Sequence, residues 1–182
     1  MTAYRLAACV IASVLATAAA VAQTTPQVDL YRGEPYNAPV PDALKGAQVI
    51  DADRAIAMDA EGVPFLDVFP RKRKPEGLPE GTIWREPRHD TIPGAVWLWD
   101  TGYQRQSDAE KARLENGLRA ATGGDLDAPV VIFCRADCWM SWNAAKRAVA
   151  WGYTGVYWFP GGTDGWQQAG GADLVKAEPV DP

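Results

Sequence analysis

Two thiols stand close together in the segment Cys134-Arg135-Ala136-Asp137-Cys138-Trp139-Met140-Ser141. A thiolate is a nucleophile and a soft metal ligand, and two thiols four residues apart can also close on each other as a disulfide. On the residues alone three readings stay open: a redox-active pair, a persulfide carried on Cys134 with Cys138 as its resolving thiol, and a disulfide with only a structural role. The structural reading has a weakness, because a bridge enclosing so few residues restricts the unfolded chain little. Cys134, Cys138 and Met140 also form a soft set suited to Cu(I), with His89, the chain's one histidine, as a distant fourth ligand. Zinc fits less well, since two cysteines and one histidine leave a closed site incomplete without an added carboxylate. No metal is the default expectation, because a lone histidine and an apolar methionine usually serve structure. His89 has two further readings, a proton carrier near neutral pH or a surface hydrogen-bonding residue of its Pro-flanked loop.

The elements around the pair give it a chemical setting. Val130–Phe133 is a continuous apolar run after Pro129, as expected of a parallel strand buried on both faces. Residues 141–151 are Ala-rich and predict a helix, with Gly152 placed as its left-handed cap. Cys134 is therefore the first residue past the carboxyl end of a buried strand, where reacting groups of parallel sheets gather. A loop curling from there into a helix N-terminus aims backbone N–H groups and the positive dipole end at one spot. That setting favours a thiolate, a persulfide or an anionic substrate, and Arg135 adds a cation beside it. The candidate catalytic residues are thus Cys134, Cys138 and Arg135, with Ala136, Asp137, Trp139, Met140 and Ser141 as the substrate- or anion-binding loop.

Elsewhere, residues 48–50, 65–68 and 95–99 predict strands, as does Val156–Phe159; residues 53–58 and 107–120 predict helices, the second stopped by Gly123-Gly124. Residues 69–92 carry prolines and charges and are expected to form a long loop. The order β-α-β-β-α-β-α-β implies an α/β fold, a mainly parallel central sheet with helices on both faces. Residues 23–46 hold four prolines with little periodicity, so they are expected to lie as an extended arm across a domain spanning 47–182.

The first 22 residues have the form of a secretory signal: Arg5, an apolar run over residues 6–21, and Ala20-Val21-Ala22 as a cleavage site, with Gln23 as the expected first mature residue. Arg5 is the signal's one charge, so cleavage takes the formal net charge from −5 to −6. An acidic exported chain of this kind is not expected to bind nucleic acid, and with no later apolar run of spanning length it is not expected to be membrane-embedded. All eight tryptophans lie between Trp84 and Trp166. They suit aromatic core packing better than a stacked planar cofactor. The basic run Arg71-Lys72-Arg73-Lys74 reads as a solvated loop or as a dock for an acidic partner.

Several segments, in order, resemble the rhodanese family: Phe65-Leu66-Asp67-Val68 its second-strand motif, Ile92-Pro93-Gly94-Ala95 its loop-to-strand motif, Cys134-Arg135 the start of its active-site loop, and residues 156–166, with Gly161-Gly162 and Trp166, its closing strand and turn. The resemblance implies a three-layer α/β/α domain with the reactive thiol at Cys134. A narrower resemblance is to the exported PQQ-dependent catabolism-associated CXXCW motif proteins. It is carried by Pro39-Val40-Pro41 with residues 44–47, by His89-Asp90-Thr91-Ile92-Pro93-Gly94 with Trp97-Leu98, and by residues 138–147, Cys138-Trp139 to Lys146-Arg147. It implies a periplasmic role near quinoprotein alcohol oxidation, with a quinoprotein dehydrogenase system or a thiol reductant as partner. No tightly bound cofactor is expected in the chain itself. A non-catalytic interaction or Cu(I)-binding module is the alternative from another class. Two departures bear on activity. Three residues separate the cysteines where the CXXCW label has two, and Met140 or Ser141 stands where active rhodanese loops commonly end in arginine. Losing that charge-assisted contact is expected to weaken sulfur transfer by about 1.5 to 3 kcal/mol.

Overall fold

In the computed structural model of the chain, residues 30–180 are described; the signal expected over residues 1–22 and the start of the arm lie outside them. The strand that precedes Cys134 shows how the sheet is built. In β5 (Val130–Phe133) all four residues are buried, and alternate side chains enter two different cores: Val130 and Ile132 on one face, Val131 and Phe133 on the other. A period of two with both faces apolar is what a central parallel strand requires.

The other strands of its sheet, in chain order, are β1 (Gln48–Val49), β2 (Phe65–Asp67), β4 (Val96–Trp97) and β6 (Val156–Phe159). Together they make a five-stranded sheet in the order β1-β6-β5-β2-β4, every pair parallel. Helices α2 (Asp108–Thr122) and α3 (Trp139–Ala150) cover one face through Leu114, Leu118, Trp142, Ala144, Ala145 and Ala148. Helices α1 (Ala52–Ala60) and α4 (Gly162–Gln168) cover the other through Ala55, Met58 and Trp166. The expected three-layer α/β/α architecture is the one observed.

Local chemistry sets the helix ends. Ser107 and Glu110 form a capping box at the start of α2, and Gly123 ends it at φ 64°. At the end of α3, the N–H of Tyr153 donates to Ala148 O and that of Gly152 to Val149 O, the paired bonds of a glycine-terminated helix, with Gly152 at φ 95°.

Three features depart from the sequence expectations. Helix α3 begins at Trp139 rather than 141, because Cys138 serves as its N-cap in extended conformation. Helix α4 was not expected, since Gly-Gly-Thr-Asp-Gly is a poor helix former; burial of Trp166 against Phe65 holds it. The stretch 69–92 ends in a strand, β3 (Asp90–Thr91), which pairs antiparallel with β7 (Val175–Lys176). The chain beyond β7 then crosses edge strand β4, where Val180 N–H donates to Trp97 O and Trp99 Nε1 to Val180 O. That cover blunts an otherwise open sheet edge. Six of the eight tryptophans are buried, so aromatic packing accounts for them. No helix among the described residues is long and apolar enough to cross a membrane.

Candidate functional site

Cys134 leaves the carboxyl end of β5, and Asp137, in the left-handed region at φ 52°, turns the chain back so that Cys138 comes beside it. Aspartate is among the few residues that tolerate that conformation. Cys134 and Cys138 are joined by a disulfide with Cα atoms 6.2 Å apart, inside the usual range. Both are buried, at 1% and 5% exposure.

Two short antiparallel bridges clamp this loop. On one side Arg135 pairs with Gly162, with Thr163 N–H donating to Cys134 O at 3.1 Å. The approach is so close that a Cβ on Gly162 would stand 2.4 Å from Cys134 O, and its φ of 50° also favours glycine. On the other side Asn37 of the arm pairs with Cys138: Trp139 N–H donates to Tyr36 O at 2.8 Å and Ala38 N–H to Asp137 O at 3.0 Å.

The expected anion-binding amides are therefore partly committed. Ala136 N–H donates to the Asp164 carboxylate at 2.9 Å, and Trp139 N–H is held by Tyr36. Trp139, Met140 and Ser141 lie in the first turn of α3 rather than in the loop, and all three are buried. Trp139 Nε1 donates to Pro39 O, Met140 packs against Gly102, and Ser141 Oγ donates to Cys138 O while accepting from Trp158 Nε1. Arg135 Nη2 donates to Asn37 Oδ1 at 2.8 Å, and its guanidinium sits 5.7 Å from the Phe69 ring centre.

Phe69 links the loop to a second polar centre. His89 stacks on its ring, with centroids 4.6 Å apart and planes 8° from parallel, and Trp97 flanks the histidine at 4.6 Å. Asp67, fully buried at the end of β2, bonds His89 Nε2 and accepts from Thr91 Oγ1, both at 2.7 Å, and from Phe69 N–H at 2.8 Å. His89 is thus largely buried and held by a carboxylate, not a surface residue of its loop. Among the described residues no group of three or more His, Cys, Asp or Glu is placed to hold a metal. Of the basic run, Arg71 is bonded twice to Glu86, whose carboxyl it holds below its ordinary pKa, and Arg73 is paired with Asp100.

Compared with known protein families, residues 51–169 match the rhodanese-like domain. The chain belongs to the rhodanese-like family. Among solved structures it is similar to the polysulfide-sulfur transferase homodimer of Wolinella succinogenes, at 17% identity over 71% of this chain and 79% of that one, with a TM-score of 0.45. No curated protein matches it in sequence. Residues 134–139 fall inside that match, and their first cysteine is bonded to their second.

Sequence reasoning passed over three residues that build this centre. Asn37 and Asp164 carry no signal of their own in a single sequence, because their roles arise from contacts across 98 and 28 residues. Asp67 does carry one: an acid inside the apolar strand Phe65-Leu66-Asp67-Val68 must be buried, and a buried carboxylate needs donors.

Proposed function

We propose that this rhodanese-like protein is an exported thiol–disulfide redox protein, with Cys134 as its nucleophile and Cys138 as the resolving thiol, working beside PQQ-dependent alcohol oxidation in the periplasm. The observation that carries the reading is the Cys134–Cys138 bond itself, formed in the loop after β5, where the sequence resemblance implies the reactive thiol. It closes a loop too short to contribute much stability through chain entropy, so stabilisation alone is a weak reason for it. In the reduced protein the Cys134 thiolate attacks a partner disulfide, forming a mixed disulfide and releasing one partner thiolate. Cys138 then attacks Cys134 Sγ, forming the internal bond and expelling the second partner thiol, so that two electrons pass to the partner. The export signal and the CXXCW-type segments support the periplasmic setting, where such a pair persists.

The test is a redox titration in glutathione and dithiothreitol buffers, with alkylation read by mass, on the mature chain and on Cys134→Ser and Cys138→Ser. A midpoint between roughly −120 and −270 mV is expected, the range of exchange catalysts. Faster alkylation of Cys134 in Cys138→Ser than of Cys138 in Cys134→Ser is expected as well. A pair that stays oxidised in buffers poised below about −300 mV overturns the proposal.

A further inference from the structure

We infer that residues 31–43 form a strap that must lift before the Cys134–Cys138 bond can exchange, and that one face of α3 is built to hold it down. The inference rests on the redox reading above. The contacts run along that face in helical order. Tyr31 lies under the Arg147 guanidinium at 4.0 Å and 5.8 Å from Lys146 Nζ. Asn143 brackets the next residue, accepting from Arg32 N–H and donating to Arg32 O, both at 2.8 Å. Trp139 holds Tyr36 O through its backbone N–H and Pro39 O through Nε1, and Trp142 Nε1 reaches Ala43 O at 3.4 Å.

Positions 139, 142, 143, 146 and 147 form one stripe of the helix. Its residues serve two sides at once: Trp139 and Trp142 pack in the core with Ala144, Ala145 and Ala148 while their N–H groups reach the strap, and Asn143 and Arg147 bond residues 102–104 as well as meeting the strap.

The strap lies directly against the cysteine loop. Thiol exchange needs a thiolate to reach a disulfide sulfur, and here both cysteines are buried with Asn37 paired directly to Cys138. The same segment engages two positive groups of the loop, Arg135 through Asn37 and the first N–H of α3 through Tyr36. Lifting it would uncover the sulfurs and release both groups together.

The strap is also suited to move. No residue from 30 to 40 is fully buried; residues 31–33, Tyr36, Ala38 and Val40 are half-buried, and the buried anchors are Pro41, near the strap's end, and Leu44, just beyond it. A segment with few buried apolar contacts opens locally at a lower free energy than the core behind it.

The test uses the mature protein with a large excess of a phosphine, which reduces the bond irreversibly as it becomes phosphine oxide, so that the rate reports access to sulfur. Ala38→Pro removes the N–H bonded to Asp137 O, and loss of one such bond should speed reduction about tenfold. Tyr31→Ala, which leaves the core intact, should speed it a few-fold through loss of its cation–π contact. Amide hydrogen exchange at Trp139 should rise in step in both variants. Faster exchange at Trp139 with unchanged reduction rates overturns the inference, and so does unchanged exchange in both variants. If Ala38→Pro does not fold, Tyr31→Ala decides by the same two readouts. The redox midpoint, measured on the same samples, judges the redox reading separately: a midpoint below the exchange range rejects that reading and leaves the phosphine rates as the test of the strap.

Discussion

Asp67 shows how much one residue organises at the carboxyl end of the sheet. Its carboxylate is fully buried and meets a hydroxyl, a backbone N–H and an imidazole. Removing it strands Thr91, Phe69 N–H and His89 without an acceptor, and a buried polar group left unpaired costs about 1 to 3 kcal/mol. Asp67→Ala should therefore destabilise the folded protein by about 3 kcal/mol in urea denaturation, whereas Asp67→Asn, which keeps an acceptor for Phe69 N–H, should cost less. A loss under about 0.5 kcal/mol in Asp67→Ala, the size of an ordinary surface change, would show that water replaces the carboxylate. Sequence leaves His89 open as a surface residue, a proton carrier or a distant metal ligand; its position on Asp67 between Phe69 and Trp97 follows from contacts twenty or more residues away in one direction and eight in the other.

At the level of the element, the loop from β5 to α3 decides what chemistry is open to Cys134. Its helix starts at Trp139, its Ala136 and Trp139 amides are bonded to Asp164 and Tyr36, and Met140 is packed in the core. An anionic sulfur donor thus meets a loop with fewer available donors and no cationic end. Sulfur transfer from thiosulfate to cyanide by the reduced protein should be at least tenfold slower than by an active rhodanese assayed alongside, the lower bound for one lost charge-assisted contact of about 1.5 kcal/mol. Turnover equal to that enzyme's would mean that Arg135 and the remaining amides bind the donor unaided. The strands and the longer helices around this loop were legible because their periodicity is strong: β5 is apolar on both faces and α2 has a capping box and a glycine stop. Helix α4 and the β3–β7 pair were not, because their residues have little local preference and are held by Trp166 and by cross-chain pairing.

At the level of the whole molecule, the sheet separates two cores, and the arm and the tail each cross one of its margins, the arm over the cysteine loop and the tail over β4. The arm's position makes the processed N-terminus relevant to the site, since cleavage after Ala22 would leave only eight residues before Tyr31. Export with that cleavage predicts a periplasmic protein whose intact mass matches a chain beginning at Gln23; full-length protein recovered from the membrane fraction would reject it. By itself the sequence determined the α/β/α architecture and the strand that ends at Cys134, because hydrophobic periodicity and end signals are local properties of the chain. It left the fate of the two thiols open among three readings. Only the tertiary structure decided that they are bonded, buried, and held in a loop bridged to Gly162 on one side and to Asn37 on the other. The reason is physical: burial, loop amide occupancy and the bridges to a disulfide loop are set by groups far apart in sequence, and no local pattern specifies which of them meet.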